Sequence, residues 1–229
     1  MRLAVKDYVT YANKKYNLSD PILDVCAGWE PNLYESIFDG KVYLKQDQMQ
    51  FDPPTMDFVC DAHQMDPIDS GSIGTVLLLE ALEHIRQPQL VVDEIYRILR
   101  PGGICVATTV MTFEIHRTPY DYWRFCPDGL SYLFRSFHIL EIVLEHHRTL
   151  PRGIWSIAIK PDVTKDNVDY IHDNLIPIKI VESGRSKMKN FIKLILNKFG
   201  IDIVRVSRKP DTIGIIGTNK DYMWKEHVK

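Results

Sequence analysis

The chain has 229 residues, of which 45% are hydrophobic and 25% charged, and it contains 12 glycines and 13 prolines. These values are typical of soluble globular proteins, so the composition excludes disordered, collagen-like and coiled-coil classes. The net charge of −2 gives no electrostatic reason to expect nucleic acid or an anionic membrane as a partner.

The charge is unevenly distributed along the chain. Residues 1–160 carry 15 basic and 21 acidic side chains, a net of −6, whereas residues 161–229 carry 13 basic and 9 acidic ones, a net of +4. We therefore expect an N-terminal helical segment over 1–20, one acidic domain over 21–160 and a basic extension over 161–229. The four cysteines have no CxxC or zinc-type spacing, which indicates free thiols, a cytoplasmic protein and no metal site.

Short apolar runs alternate with helical patterns from residue 21 to about residue 110. The runs lack the alternation of a half-exposed strand, which favours a parallel sheet covered on both faces. The clearest helix is predicted over 88–99, and Pro101-Gly102-Gly103 is predicted to end it. This order indicates βαβ units in an α/β fold. The predicted strands are 22–26, 41–44, 58–60, 76–79 and 104–108.

The pattern changes after residue 110. An aromatic and charged segment, 112–125, is predicted to be a long loop, and a short helix is predicted over 127–134. Two strands, 139–145 and 154–159, are expected to form an antiparallel pair at one end of the sheet, because the segment between them is short.

The basic extension contains one amphipathic pattern. For residues 185–199 we favour a helix that packs on the body, and self-association or contact with an anionic membrane surface are the alternatives. Residues 201–206 and 212–216 are two further strand candidates. The oligomeric state is not readable from the sequence.

Three predicted strand ends carry an aspartate: Asp24, Asp47 and Asp61. Ligands of open α/β sheets bind at the carboxyl ends of the strands, where a carboxylate about 20 residues after the first strand binds ribose hydroxyls. The alternative is that each aspartate is a turn or helix-capping residue. The turn at 26–30 has one glycine and an acidic Glu30, which disfavours a pyrophosphate such as that of NAD and favours a cationic nucleoside ligand.

These segments resemble, in order and spacing, the class I S-adenosylmethionine-dependent methyltransferases over about residues 20–160. The small-molecule and glycan-associated branch is the most similar, because its segment after the fifth strand resembles residues 116–125. The resemblance implies a Rossmann-like, seven-stranded, mostly parallel sheet with one antiparallel strand and helices on both faces. The segments that carry the resemblance are ILDVCAG (22–28), Asp47, DAH (61–63), LEALEHI (79–85) and RILRPGG (97–103).

The resemblance also assigns residues to S-adenosylmethionine. The methionine part would be held by the first loop, with Asp24, Cys26, Ala27 and Gly28. Asp47 would bind the ribose hydroxyls, and Asp61 and Ala62 would bind the adenine. Leu79 and Glu80 would lie beside the sulfonium.

The acceptor is expected to be a small molecule or glycan that is methylated on oxygen or nitrogen. His116 is the first candidate for a catalytic base and His84 the second, although a structural role is the commoner one for such a histidine. The loop itself is interpreted as a lid, or alternatively as a clasp in which Asp121 pairs with Arg117 or Arg124. Its predicted acceptor-binding residues are Tyr120, Asp121, Tyr122, Trp123 and Arg124.

Three positions depart from the family pattern. Glycine is usual at Cys26 and Glu30, and an acidic residue is usual near Gly74. A non-glycine residue at a position of positive φ costs on the order of 1 kcal/mol. The alternative function is therefore a methyltransferase-like binding or scaffold protein without turnover.

Overall fold

The computed structural model describes residues 3–29, 33–117, 119–162 and 178–181. Its helices are α1 (Leu3–Tyr16), α2 (Pro88–Ile98) and α3 (Pro127–Leu133), with short 3₁₀ helices at Glu35–Phe38 and Leu82–His84. Its strands are β1 (Ile22–Val25), β2 (Tyr43–Asp47), β3 (Phe58–Val59), β4 (Ile73–Leu79), β5 (Leu99–Val110), β6 (His138–Glu145), β7 (Gly153–Ile159) and β8 (Ile178–Val181).

All eight strands form one sheet in the order β3-β2-β1-β4-β5-β7-β6-β8. Strand β7 pairs antiparallel with both β5 and β6, and the other pairs are parallel. The predicted seven-stranded sheet with one antiparallel strand is thereby confirmed, and β8 adds an eighth strand beside β6. The β6–β7 pair therefore does not form the end of the sheet, because β8 covers its edge.

Helices cover both faces of the sheet, as predicted. On one face, α2 and α3 pack with Leu23, Val25 and Val76 in a buried cluster. On the other face, α1 packs with Ile22, Leu77 and Trp155. The central strands β1 and β4 are buried on both sides, which explains their continuous apolar sequences.

The α2–β5 junction differs from the prediction. Helix α2 ends at Ile98, and Leu99 already pairs with Ile73 as the first residue of β5. Pro101-Gly102-Gly103 lies inside β5, at a shift in the register between β4 and β5. Gly102 has a φ of +77°, which suits glycine in such an irregularity. The glycines therefore reshape the strand rather than end the helix.

Gly74 is explained by packing. A Cβ atom at this position would lie 2.4 Å from the backbone oxygen of Ser19 and 2.6 Å from that of Asp20. The start of β4 is thus in direct contact with the chain that enters β1, and there is no room for an acidic side chain at this position.

The predicted helix 185–199, the two strand candidates after it and Glu30 lie outside the described residues. Among the residues that are described, no helix has the length and apolar character needed to cross a membrane.

Lys160 fixes the end of β7 to the α2–β5 junction. Its Nζ donates to the backbone oxygens of Tyr96 and Leu99, both at 2.7 Å, and lies 4.7 Å from the centre of the Tyr96 ring. Burial lowers the pKa of Lys160. These contacts satisfy carbonyls at the C-terminus of α2 that have no partner within the helix.

We predict that Lys160→Met lowers the free energy of unfolding by about 1–3 kcal/mol, because it removes a charged donor from two carbonyls. Urea unfolding followed by circular dichroism measures the change. Lys14→Met, at an exposed position of α1, is the control and should change stability by less than about 0.5 kcal/mol. Equal stability of the two variants would contradict the conclusion that the hydrogen bonds of Lys160 stabilise the α2–β5 junction.

Asp24 is a buried carboxyl in the middle of β1. The hydroxyl of Tyr43 donates to its Oδ2 at 2.8 Å. Burial raises the pKa of Asp24 from 3.8 to about 7, although the Tyr43 hydrogen bond opposes this shift. The folded state therefore retains a proton on Asp24 at pH values where the unfolded chain has released it.

This difference predicts that the free energy of unfolding falls as the pH rises from about 4 to about 7. The slope from Asp24 should approach about 1.4 kcal/mol per pH unit. Asp24→Asn cannot titrate and should lose this part of the slope, whereas Asp39→Asn, at an exposed position, should keep it. Chemical unfolding across this pH range tests the prediction, and identical slopes for wild type and Asp24→Asn would refute it.

Candidate functional site

Parallel pairing places the carboxyl ends of β1 to β5 at one edge of the sheet. The ends of these strands and the segments that follow them at this edge form the candidate site. They contain every residue that the sequence assigned to the cofactor and acceptor: Asp24, Cys26, Ala27, Gly28, Asp47, Asp61, Ala62, Leu79, Glu80, His84, His116, Tyr120, Asp121, Tyr122, Trp123 and Arg124.

The first loop is held against β2. The backbone N–H of Gly28 donates to Oδ2 of Asp47 at 3.0 Å. Gly28 and Cys26 have φ values of +70° and +58°. The glycine expected at position 26 would suit this conformation better, so Cys26 holds a left-handed backbone at a cost of about 1 kcal/mol. Asp47 thus lies directly beside the loop.

Gln46 is a site residue that the sequence analysis missed. Its buried side chain accepts a hydrogen bond from the N–H of Cys26 at 3.2 Å and donates to the backbone oxygen of Cys60 at 2.6 Å. Its own backbone oxygen accepts from the N–H of Ala27 at 3.0 Å. Gln46 therefore joins the loops after β1 and β3. Its position directly before the strand-end Asp47 was the available signal.

The loop after β3 exposes a carboxylate. Oδ1 of Asp61 accepts from the backbone N–H of His63 at 2.9 Å and lies 2.6 Å from Nδ1 of the same residue. The His63 N–H bond is the main reason that the pKa of Asp61 lies below its usual value. Asp61 is ionised at neutral pH and 69% exposed, while Ala62 is buried beside it. The carboxylate can therefore accept further hydrogen bonds from a ligand.

The end of β4 has an unusual backbone. Glu80 follows half-buried Leu79 and has a φ of +52°. Its N–H donates to the backbone oxygen of Thr108 at 2.9 Å and lies 3.1 Å from the Thr108 hydroxyl. Backbone strain of this kind is concentrated at functional sites. The contacts with β5 fix the residue predicted to lie beside the sulfonium.

Hydrogen bonds attach the loop after β5 to the end of β4. The N–H groups of Tyr122 and Trp123 donate to the backbone oxygen of Glu83 at 2.7 and 3.3 Å. The indole N–H of Trp123 donates to the backbone oxygen of Ile85 at 2.8 Å, and Nδ1 of His84 lies 2.5 Å from the backbone oxygen of Tyr120. These four contacts hold residues 120–123 across the carboxyl edge.

Asp121 stabilises this loop from within. Its carboxylate is 2% exposed and bonds both Nη atoms of Arg124. It also accepts from the backbone N–H of His116 at 2.9 Å. Arg124 is the main reason that the pKa of Asp121 lies well below its usual range. Of the two arginines considered for the clasp, Arg124 is the one that pairs with Asp121.

The aromatic side chains of the loop face outwards. Tyr120, Tyr122 and Trp123 are 59%, 43% and 43% exposed, and the two tyrosine rings lie 5.6 Å apart. They are the loop residues that offer ring surface to an acceptor, whereas the Asp121 carboxylate is occupied within the loop.

The two histidine candidates lie together. The rings of His84 and His116 meet edge to face at 4.8 Å. Buried Glu83 lies in the same cluster, and its Oε2 accepts from the hydroxyl of Thr109 at 2.9 Å. Burial raises the pKa of Glu83, and the nearby Glu80 raises it further. No sequence pattern connects Glu83 with His116, which lies 33 residues further along the chain.

Comparisons with known proteins agree with the resemblance. Residues 40–107 match the family model of a methyltransferase domain. Over 107 residues the chain is 30% identical to a ubiquinone biosynthesis O-methyltransferase of Psychrobacter arcticus, which covers 46% of this chain and 38% of the relative. The chain therefore spans well under half of that relative's length.

Two solved structures share the fold. The 1,6-didemethyltoxoflavin-N1-methyltransferase of Burkholderia thailandensis, determined with bound 1,6-didemethyltoxoflavin and S-adenosylhomocysteine, has a TM-score of 0.55 at 16% identity. It covers 69% of this chain and 79% of its own. The cyclase SpnF has a TM-score of 0.55 at 17% identity and covers 69% of this chain and 82% of its own.

At these identities the two structures support the fold alone, and the fold does not determine the reaction. The matched methyltransferase domain and the strand order agree with the motifs read from the sequence. The chain therefore has a Rossmann-like sheet that includes a match to the methyltransferase domain over residues 40–107.

Proposed function

We propose that the chain binds S-adenosylmethionine at the carboxyl edge of the sheet and transfers its methyl group to an oxygen or nitrogen atom of a small molecule. The observation that carries this proposal is the contact between Asp47 and the first loop, in which Gly28 N–H and Asp47 Oδ2 lie 3.0 Å apart. This contact supports the proposal because a carboxylate, which is able to accept hydrogen bonds from ribose hydroxyls, lies next to a loop that lacks the glycines needed for pyrophosphate.

The charge of the edge supports a cationic ligand. Asp47 ends β2 and Glu80 directly follows β4 at this edge, and hydrogen bonds from His63 hold the pKa of exposed Asp61 below its usual value. A sulfonium is attracted by these groups, whereas a phosphate would be repelled. We assign Asp24 to support of the loop, because its carboxyl group is already bonded to Tyr43.

We propose a hydroxyl group on a small ring-containing molecule as the preferred acceptor. Tyr120, Tyr122 and Trp123 offer exposed ring faces, which stack well on aromatic or sugar rings. The Psychrobacter relative is named an O-methyltransferase, which favours oxygen over nitrogen. A glycan acceptor has the same stacking chemistry and is the second choice.

The reaction is an in-line displacement. The acceptor oxygen forms a bond to the methyl carbon, the bond from that carbon to sulfur breaks, and the electron pair stays on sulfur in S-adenosylhomocysteine. Most of the rate comes from holding the two reacting atoms close together. The hydroxyl proton must leave, and we assign it to the imidazoles at the edge, His116 first and His84 second.

We also propose a cytoplasmic location. All four cysteines of the chain, Cys26, Cys60, Cys105 and Cys126, are free, which fits a reducing compartment.

The cofactor site can be tested without knowing the acceptor. We expect wild type to bind S-adenosylhomocysteine with micromolar affinity by calorimetry. Asp47→Asn should bind it about 10- to 100-fold more weakly, because a hydrogen bond from a ribose hydroxyl to a carboxylate is worth about 1.5–3 kcal/mol. Asp39→Asn, on an exposed residue shortly before β2, is the matched control and should bind like wild type.

Absence of binding by folded wild type would exclude the cofactor and favour a methyltransferase-like scaffold without turnover. Equal binding by the Asp47 and Asp39 variants would exclude the ribose role of Asp47 alone.

His116 should matter for turnover rather than for cofactor binding. With any acceptor that wild type methylates, we expect His116→Ala to lower kcat by about 10²- to 10⁴-fold and to leave the affinity for S-adenosylhomocysteine unchanged. His147→Ala, on an exposed residue of the β6–β7 loop, is the control. A wild-type rate for His116→Ala would remove this residue from the mechanism.

A further inference from the structure

We propose that Glu83, His84 and His116 form a binding site for a divalent transition-metal ion at the acceptor end of the cofactor edge. One ligand-capable atom from each of these side chains lies within 4.8 Å of the other two. The inference rests on the proposed function in one respect, which is that the acceptor is the molecule expected to contact the ion. Binding of the ion itself can be measured without an acceptor.

Topology brings the three side chains together. Glu83 and His84 belong to the 3₁₀ helix Leu82–His84 after β4, and His116 lies in the loop after β5. The N–H groups of Tyr122 and Trp123 fix the later part of this loop to the backbone of Glu83. The separation of 32 residues between His84 and His116 matches no common zinc spacing, so the sequence alone predicted no metal site.

Both imidazoles have the hydrogen bonds that metal ligands use. Nδ1 of His84 lies 2.5 Å from the backbone oxygen of Tyr120, and Nδ1 of His116 lies 3.2 Å from that of Glu114. A histidine that donates from Nδ1 to a carbonyl presents the lone pair of Nε2 to a ligand, and this partner fixes both tautomer and ring orientation. With Nδ1 donating in this way, each of the two rings keeps the lone pair of Nε2 for a ligand.

Glu83 supplies an independent reason for a cation. Its side chain is fully buried, and Oε2 is held by Thr109, but Oε1 has no hydrogen-bond partner. A buried carboxylate oxygen without a partner is costly. The nearby cation Arg124 is already paired with Asp121. A metal ion between Glu83 and the histidines would satisfy the unpaired oxygen.

The donor set indicates the class of ion. Two imidazoles and one carboxylate suit zinc, manganese, iron or cobalt, whereas magnesium and calcium prefer oxygen ligands alone. An ion about 2.1 Å from each donor holds the donors roughly 3.3 Å apart. The side chains must therefore close by about 1–1.5 Å from their 4.8 Å limit, which rotation of the half-exposed histidines can supply.

The ion would assist the proposed methyl transfer by activating the acceptor hydroxyl. Three protein ligands leave coordination positions open, and a hydroxyl that occupies one of them loses its proton more readily because the cation stabilises the oxyanion. With the ion bound, Glu83, His84 and His116 would hold it, and the proton of the coordinated hydroxyl would pass to solvent instead of to an imidazole. The methyl group then moves to an oxygen already held in place.

Cobalt is the best probe because its visible spectrum reports the ligands. We expect the full chain, freed of metal with a chelator, to bind a stoichiometric amount of Co²⁺ and to develop visible ligand-field bands without a thiolate charge-transfer band. His116→Ala and Glu83→Gln should each weaken Co²⁺ binding at least tenfold in calorimetric titrations. His147→Ala, which removes an exposed histidine outside the cluster, should bind Co²⁺ like wild type.

Two controls separate the possible failures. Near-ultraviolet circular dichroism shows whether each variant is folded, and Glu83→Gln keeps the shape of the side chain. S-adenosylhomocysteine binding by the chelated protein tests the cofactor site alone. Absence of Co²⁺ binding, a thiolate band, or equal binding by His116→Ala and His147→Ala would overturn the metal site while leaving the cofactor proposal intact. Co²⁺ binding without S-adenosylhomocysteine binding would support the metal site and count against the proposed function.

Discussion

The site depends on one constraint, which is that backbone groups buried at the ends of a parallel sheet must find hydrogen-bond partners inside the protein. The Gln46 side-chain amide forms hydrogen bonds with the backbone of Cys26 and Cys60. The Asp47 carboxylate accepts from the N–H of Gly28, and the Thr108 carbonyl accepts from the N–H of Glu80. Each partner comes from a neighbouring strand or its end. The same bonds that satisfy the backbone therefore fix the loops in which a nucleoside ligand would lie.

The same constraint unites the two interpretations of the loop after β5. The backbone oxygen of Glu83 accepts from Tyr122 and Trp123, and the Asp121–Arg124 pair holds the loop from within. These contacts make a clasp. The rings of Tyr120, Tyr122 and Trp123 remain exposed in this clasp. The same contacts therefore hold the loop in place and leave a ring surface for an acceptor.

The sequence predicted most of the sheet because most strands carry their own signal, such as the doubly buried apolar runs of β1 and β4 or an aspartate at the strand end. It misjudged Pro101-Gly102-Gly103 because glycine and proline mark strand irregularities as well as helix ends. Gln46 and the Glu83–His84–His116 cluster depend on contacts between separate segments, which local patterns do not contain. The need for glycine at position 74 likewise follows from its close contact with the backbone of Ser19 and Asp20, which the local sequence does not reveal.

Electrostatics explains how a chain of nearly neutral net charge can bind a cationic cofactor. Asp24, Asp47, Asp61, Glu80 and Glu83 are in or close to loops at one edge, and burial, aided by neighbouring carboxylates, raises the pKa of Asp24 and Glu83. The raised pKa values mean that these two groups take up a proton more readily than ordinary carboxyl groups, which limits the repulsion among the carboxylates. A bound cation would remove part of that repulsion, so the edge is least favourable electrostatically when empty. The fold thus maintains a concentration of negative charge at this edge of the sheet. A sulfonium is suited to neutralise this charge, and a metal ion is suited to do so near Glu83.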